Sequence, residues 1–581
     1  MRKQWLAAAF SLVLAAIVYV PVAQPPLENE PDLSFRATTH DAFARRMQLG
    51  RDIISTYGPW GILQHGYDPR TDGAVHAASA LLAAAFGWGV FRLARDAKAS
   101  ALANAAIALT AAALVATAGL DGRFTVLLVL LALSMLEPWS PSRELPLVAV
   151  LGLVALIKFT LLLFAPLVVI GVAMARRRVA HVVVFAGALV VSWIAAGQSV
   201  AGFPRFVATA AEVARGYGAA SSVGSGVPLA LYAAAGLVLL CAAIERDVVR
   251  VAVIGGTALL LVRIGYVRAD LVHTSSANAV LLFLIGAYLL IRNTYRVALA
   301  GGVAAALVAL LTGAPVLAER ARVQWLWLGG RGEHLAALQR DLALLAGPAP
   351  AVAGTIDAYP SGSAALIAHG LRYTPRPVFQ SAMTWTAKLA AINADFLRGP
   401  RAPQWLWADV GAVDGRLPLL DDGASWLEMV RRYDVLVQSG DHLLLQRSES
   451  PKPLVLEPAE VGARGLVWCT IDIDVPIGAR IRDAVGRARS ATLELTTAGG
   501  ARTTWRAAPD ALRGGFLLSP LVANVDDLAL LFAGDDRNRV TGVRVTYDGA
   551  RYVMYLSAVR TPRLASGTAP APSGRRTSRR R

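Results

Sequence analysis

Long apolar runs, separated by short polar stretches, recur through residues 1–317 of the chain. An apolar run of about 20 residues crosses the ~30 Å hydrocarbon layer of a membrane as a helix. We therefore predict about eleven membrane-spanning helices in this part of the chain. The predicted spans cover residues 5–20, 74–92, 99–118, 123–137, 144–157, 159–175, 179–198, 226–244, 248–264, 275–291 and 296–316.

Basic residues in alternate loops support this count and predict the orientation of the chain, because such residues mark the cytoplasmic side. Arg2 and Lys3 precede the first run, so the N-terminus is predicted inside and the acidic loop 23–72 outside. Small residues near Ala23 would suit a signal-peptide cleavage site, but the later spans favour a retained anchor. An odd number of spans places the region after residue 317 outside as well.

The region after residue 317 is polar enough to be soluble. Residues 318–450 mix helical periodicity with short apolar strands, which predicts an α/β region. Residues 451–564 alternate apolar and polar side chains, and we interpret them as a β-sandwich-like domain. Residues 565–581 form a basic tail whose composition predicts disorder. The predicted fold class is a polytopic α-helical membrane protein with a C-terminal extracytoplasmic α/β plus β-sandwich region.

Composition excludes several classes of protein. A chain that is 55% hydrophobic and 17% charged is too apolar to be a soluble protein of 581 residues. The net charge of +17 lies largely in short loops and in the tail, and we predict no nucleic-acid partner. Cys241 and Cys469 are too few for a disulfide framework or a cysteine metal cluster. No glycine-rich phosphate loop or dinucleotide fingerprint is present, which favours a lipid-linked substrate over a nucleotide.

The acidic loop places Glu28, Glu30 and Asp32 within a few residues of the membrane surface. Transfer of a group to an acceptor hydroxyl needs a base, and a carboxylate in a partly dry cleft suits that role. Asp32 is the first candidate, with Glu28 and Glu30 as alternatives for the base or for a metal ligand. Asp32 would equally suit a helix cap.

Two further features of the same loop bear on a site. His40 and Asp41 would suit a metal site or a surface helix, so the need for a divalent cation stays open. Tyr57 begins a Tyr-Gly-Pro-Trp-Gly turn in which the glycines permit a tight reversal. We interpret this turn as structural, with Tyr57 placed at interface depth to contact a substrate.

Cations at the predicted membrane boundary are candidates for substrate binding. Lys158 lies between two apolar runs, where a charge costs at least ~2.5–3.5 kcal/mol unless it faces a polar cavity or reaches the interface. Arg268 lies with Arg263 in a second outer loop, and a guanidinium binds phosphate in a forked geometry. Asp270 and His273 are three residues apart and would share a helix face. An Arg268–Asp270 ion pair is the structural alternative.

Several of these residues fall in stretches that resemble a known group. Residues 30–36, with Glu-Pro-Asp-Leu-Ser-Phe-Arg, and residues 57–61 resemble an opening pattern of bacterial multi-pass proteins similar to GT-C-type membrane glycosyltransferases. The usual pattern reads Asp-Pro-Ser-Trp and Tyr-Gly-Pro-Leu-Gly, so Leu33, Phe35 and Trp60 depart from it. Residues 156–160, 265–273 and 375–381 resemble the same group.

The resemblance implies a multi-span membrane domain, an acidic residue in the first outer loop and a polyprenyl-phosphate-linked sugar donor. We therefore expect a membrane glycosyltransferase that moves a sugar from this donor to a cell-envelope glycan or lipid acceptor on the periplasmic side. The alternatives are a lipid-linked glycan transporter or flippase and a non-catalytic envelope-glycan assembly protein. A transporter needs charges buried along several spans, and Lys158 is almost the only candidate in the sequence.

Overall fold

Helices make up the N-terminal part of the protein, and strands alternate with helices after residue 346. The computed structural model describes residues 2–22, 30–96, 98–136, 141–221, 255–256, 265, 267–268, 270–291, 295–479, 488–547 and 550–560. The N-terminal helices are α1 (Arg2–Tyr19), α2 (Glu30–Ala44), α3 (Asp72–Asp96), α4 (Ala101–Thr117), α5 (Gly119–Leu136), α6 (Pro141–Ala155), α7 (Phe159–Arg176), α8 (Ala180–Ala195), α9 (Phe203–Ala220), α10 (Leu271–Ile291) and α11 (Tyr295–Ala346).

Among the described residues, two helices are long and apolar enough to span a membrane, Pro69–Asp96 and Phe159–Arg176. The count rises to three if Ala180–Ala195 and Val200–Ala220, which meet at an angle of 106°, form one broken span. The prediction of about eleven spans, and with it the GT-C-like fold class, is therefore wrong.

The prediction failed because an apolar run does not fix the length of the helix that it forms. α4 has 17 residues, and α6 has 15 residues with Pro146 inside. At 1.5 Å per residue, α6 reaches only about 23 Å, less than the ~30 Å hydrocarbon layer. The predicted spans 226–244 and 248–264 lie almost entirely outside the described residues, whereas 296–316 is the first part of the 52-residue α11.

The N-terminal helices enclose one large apolar core. α1 packs on α3 and α4, α6 packs on α8, and α11 packs on α4. Two of these contacts bring backbones together at glycine. A Cβ at Gly152 would lie 2.7 Å from the backbone nitrogen of Leu189 in α8, and one at Gly313 would lie 2.3 Å from the carbonyl oxygen of Ala113 in α4.

A five-stranded mixed sheet follows, with the order β2-β1-β3-β5-β4. β1 pairs in parallel with β2 and β3, and the remaining pairs are antiparallel. Helices α12 (Ser363–Ala368), α13 (Ala387–Arg398) and α14 (Gly423–Arg432) connect these strands. The strands are β1 (Thr355–Tyr359), β2 (Arg372–Tyr373), β3 (Trp405–Ala408), β4 (Tyr433–Ser439) and β5 (His442–Arg447).

Two antiparallel sheets complete the described chain, one with the order β10-β7-β12-β6 and one with the order β11-β8-β9. Their buried faces share a core that includes Ile471 of β7 and Leu493 of β8. The helices are α15 (Pro509–Gly514) and α16 (Val525–Phe532), and the strands are β6 (Val455–Pro458), β7 (Leu466–Ile473), β8 (Ala491–Thr497), β9 (Arg502–Ala507), β10 (Phe516–Ser519), β11 (Val540–Thr546) and β12 (Tyr552–Arg560). The predicted tail lies outside the described residues.

The acidic loop lies directly on the C-terminal region. The Ser34 hydroxyl in α2 accepts a hydrogen bond of 2.9 Å from the backbone N–H of Ala364, and the Thr38 and Ser363 hydroxyls are 2.7 Å apart. Arg401 forms an ion pair of 2.6 Å with Asp52 in the same loop. These contacts show that the loop and the C-terminal region pack together, and this conclusion does not depend on the number of membrane spans.

A fully buried charge network lies inside the five-stranded region. Arg376, Asp357 and Asp422 have no exposed surface, and Arg376 Nε lies 3.2 Å from Asp357. Arg376 Nη1 lies 3.8 Å from Asp422, which also accepts a 2.9 Å hydrogen bond from Asn393. One cation thus faces two carboxyl groups. Burial raises the pKa of Asp357 to about 6 and the pKa of Asp422 to about 7, against the opposing charge of Arg376.

These two carboxyl groups should make the five-stranded region less stable as the pH rises. In the unfolded chain both lose their protons near the usual aspartate pKa of 3.8, whereas in the folded chain they lose them near 6 and 7. Between these values the folded state binds more protons, so the free energy of unfolding falls from about pH 4 to about pH 7. Asp422→Asn should flatten this slope, and asparagine suits the positive φ of 59° at this position.

The measurement is amide hydrogen exchange of β1 and β3 in the intact protein, with the pH dependence of intrinsic exchange removed. The exposed Asp441→Asn serves as the control and should leave the slope unchanged. If the free energy of unfolding had the same pH dependence in Asp422→Asn and in the wild-type protein, the raised pKa of Asp422 would be contradicted.

Candidate functional site

A cavity of about 670 Å³ lies where the acidic loop, the start of the spanning helix Pro69–Asp96 and the C-terminal region meet. The cavity is lined by both charged and apolar side chains. The charged lining consists of four arginines, two aspartates and one histidine, namely Arg36, Arg45, Arg70, Arg372, Asp41, Asp68 and His40. The apolar lining includes Leu33, Tyr67, Leu338, Leu342, Ile367 and Leu371.

Helix α2 contributes most of the charged side chains in the lining, and their spacing along the helix explains why they lie together. Arg36, His40, Asp41 and Arg45 are four, one and four residues apart, so they share one face of the helix. The neighbouring face carries Ser34 and Thr38, which are fixed to α12 by the hydrogen bonds described above. The packing of α2 against the C-terminal region therefore turns its charged face into the cavity.

Ion pairs fix the geometry of the two aspartates in the cavity. Arg70 binds Asp68 through Nε at 2.9 Å and Nη2 at 2.6 Å, and its Nη1 lies 3.4 Å from Asp41. Arg45 pairs with Asp41 at 2.9 Å. Burial alone would raise the pKa of Asp68, but the hydrogen bonds from Arg70 and the nearby charges lower it overall. Asp68 is therefore an ionised partner for arginine and a poor proton acceptor.

Arg36 is a half-buried cation in the lining of the cavity. Its Nε donates a 2.6 Å hydrogen bond to the carbonyl oxygen of His65. Gly66 allows this approach, because its φ is +84° and a Cβ there would lie 2.7 Å from the guanidinium. Burial lowers the pKa of Arg36, while the negative charges of Asp68 and Asp32 oppose the shift. With four guanidinium groups against two carboxylates, the cavity carries an excess of positive charge that suits an anion.

His40 is the buried imidazole of the cavity. It is 2% exposed, and its Nδ1 lies 2.8 Å from the Thr71 hydroxyl. Burial lowers the pKa of His40 to about 4, despite the charge of Asp68, so the ring is neutral near pH 7. A neutral imidazole contributes hydrogen bonding at this position and leaves the positive charge to the arginines.

Tyr57 and Lys158 lie together beneath α2, outside the lining of the cavity. Their backbones form a β-bridge, and Lys158 Nζ is 5.0 Å from the centre of the Tyr57 ring. The ring of His65 lies 4.8 Å from the Tyr57 ring. Burial lowers the pKa of His65, and the positive charges of Arg36, Lys158 and Arg123 lower it further. Lys158 is half-buried beside the aromatic ring of Tyr57, and it does not line the cavity.

The proposed bases lie at the beginning of α2. Asp32 is exposed in the first turn of the helix and does not line the cavity, so it does not occupy the partly dry cleft that was expected. Its charge nevertheless acts on Arg36, one turn further on. Glu30 is the first residue of α2, and Glu28 lies outside the described residues.

Three residues of the predicted second outer loop form a separate cluster. Arg268 Nε pairs with Asp270 at 2.8 Å, and its Nη1 pairs with Asp414 of the C-terminal region at 3.1 Å. His273 Nδ1 lies 2.7 Å from Asp270. These residues do not line the cavity, and Arg268 makes the ion pair that was the structural alternative. The cluster links the loop to the C-terminal region.

A divalent cation would need a cluster of metal-ligating side chains, and the described part of the chain contains none. No group of three or more histidine, cysteine, aspartate or glutamate side chains among those residues could hold a metal ion. Asp270 pairs with both His273 and Arg268 instead of converging with a further metal ligand.

The helices contain buried charges that the sequence interpretation missed when it singled out Lys158. Arg92 and Arg123 are at most 5% exposed, and Glu144 and His181 have no exposed surface. His181 Nε2 lies 2.8 Å from Glu144, and Arg176 lies 3.6 Å from the same carboxylate. These buried charges could have been recognised in the sequence as single charged residues within apolar segments.

The arginines of the cavity were also missed. Arg36 and Arg45 could have been found together with His40 and Asp41 from their helical spacing. Arg70 and Arg372 could not, because only the tertiary fold brings their segments to α2.

No family model matches the chain, and searches of curated proteins and of solved structures also find no match.

Proposed function

We propose that the protein is a membrane glycosyltransferase that moves a sugar from a polyprenyl-phosphate donor to a cell-envelope glycan or lipid acceptor. The observation that carries the proposal is the cavity, which has an excess of guanidinium groups and is also lined by leucine and isoleucine, beside the start of a helix that is long and apolar enough to span a membrane. A polyprenyl phosphate has the same two parts, an anionic headgroup and an apolar chain. The resemblance to GT-C-type sequences supports the sugar as the transferred group.

The proposed location is a bacterial inner membrane, with the N-terminus in the cytoplasm and the cavity facing the periplasm. Two helices of the described chain can span a membrane. Arg2 and Lys3 favour a cytoplasmic N-terminus. The contacts between α2 and the C-terminal region support placing both on the same side of the membrane, and the proposed side is the periplasm, where envelope glycans are assembled.

The proposed chemistry divides between the arginines and a carboxylate. Arg36, Arg70 and Arg372 bind the donor phosphate and stabilise the charge that develops on it as the bond to the sugar breaks. Asp32 takes the proton of the acceptor hydroxyl. Its exposure leaves it accessible to an acceptor from outside, and its proximity to Arg36 places it near the donor headgroup.

A second candidate function is transport of a lipid-linked glycan. The buried Arg92, Arg123 and Glu144–His181 side chains favour it, because a transporter needs polar groups along its helices. The same cavity would then bind the headgroup before or after translocation, and no carboxylate of α2 would act as a base.

The two functions differ in their dependence on Asp32. In liposomes that contain a polyprenyl-phosphate sugar and an acceptor lipid, Asp32→Asn should lower sugar transfer about 10²-fold or more, because it removes the proton acceptor. Donor binding should stay near the wild-type value. Asp441→Asn, at an exposed position that does not line the cavity, is the control for a general loss of charge, and it should retain most of the transfer. Normal transfer by Asp32→Asn, or movement of donor across the bilayer without transfer, would contradict the proposal.

A further inference from the structure

α11 carries an exposed apolar patch next to a break in the helix. The break lies at Gly330, with φ −149° and ψ 42°. Before it, Trp325 is 76% exposed, Leu326 is 43% exposed and Leu328 is 79% exposed. After it, Leu338 and Leu342 line the cavity. The patch and the cavity-lining leucines therefore lie on the two helical segments of α11 that meet at Gly330.

Contacts with neighbouring helices fix the level of the patch in the molecule. Trp327, between the exposed residues, is buried, and its ring lies 4.7 Å from that of Tyr67. Tyr67 comes two residues before the spanning helix Pro69–Asp96 begins. Gln324 donates hydrogen bonds to the carbonyl oxygens of Ile17 and Val20 at the end of α1, at 3.1 and 2.8 Å. The patch thus lies level with the ends of two helices.

The composition of the patch matches the boundary between lipid headgroups and acyl chains. Tryptophan is enriched at that depth because its ring is apolar while its N–H remains polar. Leucine side chains that are exposed in water next to it would be removed from water by the bilayer. The outer surface of α1, which packs on α11, is also apolar, with Phe10 and Val13 41% and 56% exposed. Exposed apolar side chains are therefore present on both of these packed helices.

We propose that Trp325, Leu326 and Leu328 form an interfacial anchor that inserts into the lipid bilayer. The anchor holds the α11 wall of the cavity at the membrane surface, so an amphipathic ligand reaches the cavity sideways from the bilayer. The partner is the lipid surface itself. This anchor does not depend on glycosyl transfer and would serve a transporter equally.

The test places a fluorescent probe on the patch of the full-length protein in liposomes. Trp325→Cys and Leu328→Cys are each labelled with an environment-sensitive thiol probe, and unsubstituted protein carried through the same labelling gives the background from Cys241 and Cys469. Ile477→Cys is the matched control, because Ile477 is also apolar and 75% exposed but lies in the C-terminal region. Lipids with a nitroxide near the headgroup should quench the probes at 325 and 328 at least twofold more than the probe at 477.

Equal quenching at all three positions, with full access of aqueous iodide to 325 and 328, would overturn the anchor. Protection of the probes at 325 and 328 from both iodide and the nitroxide lipids, increasing with protein density in the liposomes, would also overturn it, since the patch would then face another copy of the chain. Two labelled positions on the patch protect the test against misfolding of a single variant.

Discussion

Arg36→Gln is expected to weaken binding of a polyprenyl phosphate by about 10²-fold, because removal of one partner from a desolvated charge pair costs about 2–5 kcal/mol. Sugar transfer should fall further than binding, since the same charge stabilises the phosphate as it leaves. Arg36→Lys should restore binding only in part, because lysine supplies a charge without the forked donors. Binding is measured with the donor in detergent-purified protein, and transfer is measured in liposomes.

Two other arginines separate a local effect from a general loss of charge. Arg537→Gln, on an exposed loop where Arg537 pairs with Asp535, should leave binding unchanged. Arg268→Gln should affect stability more than binding, because Arg268 joins Asp270 to Asp414 away from the cavity. Wild-type affinity in Arg36→Gln, or an equal loss in Arg268→Gln, would show that the headgroup lies elsewhere.

The span count shows how far hydropathy can predict this fold. It located apolar segments, and many of them are helices, but it could not show that α6 is short or that the chain turns by 106° between α8 and the following helices. Those features depend on packing between helices, such as the approach of α6 to α8 at Gly152. Strand alternation was more informative, since β7 and β8 each bury one face on the core that they share.

For the candidate site, the sequence identified the segment but not the chemistry of the cavity. The acidic loop does contain the helix that lines it, and Asp32 lies one turn before Arg36. The emphasis on carboxylates missed the arginine face of the same helix. Arg372 is more than 300 residues away in the chain and reaches the cavity because Ser34 and Thr38 fix α2 to α12. No local pattern encodes that contact.

Arg376→Met is expected to destabilise the five-stranded region by about 3–5 kcal/mol, because removing one partner of a buried ion pair leaves the other group without compensation. Arg376 has no exposed surface, and its guanidinium also lies 4.1 Å from the centre of the Tyr359 ring. Amide hydrogen exchange of β1 and β3 in the intact protein at pH 7 measures the loss.

The effect of Arg376→Met should shrink as the pH falls. Below about pH 6 both carboxyl groups take up protons, since burial raises the pKa of Asp357 to about 6 and the pKa of Asp422 to about 7. The loss of the guanidinium then leaves neutral carboxyl groups, which cost less to bury than carboxylates. Arg398→Met is the matched control. Arg398 is 46% exposed and pairs with Glu428 at 2.9 Å, so its loss should cost at most about 1 kcal/mol at either pH. Equal and pH-independent losses in the two variants would show that Arg376 acts through packing and not through its charge.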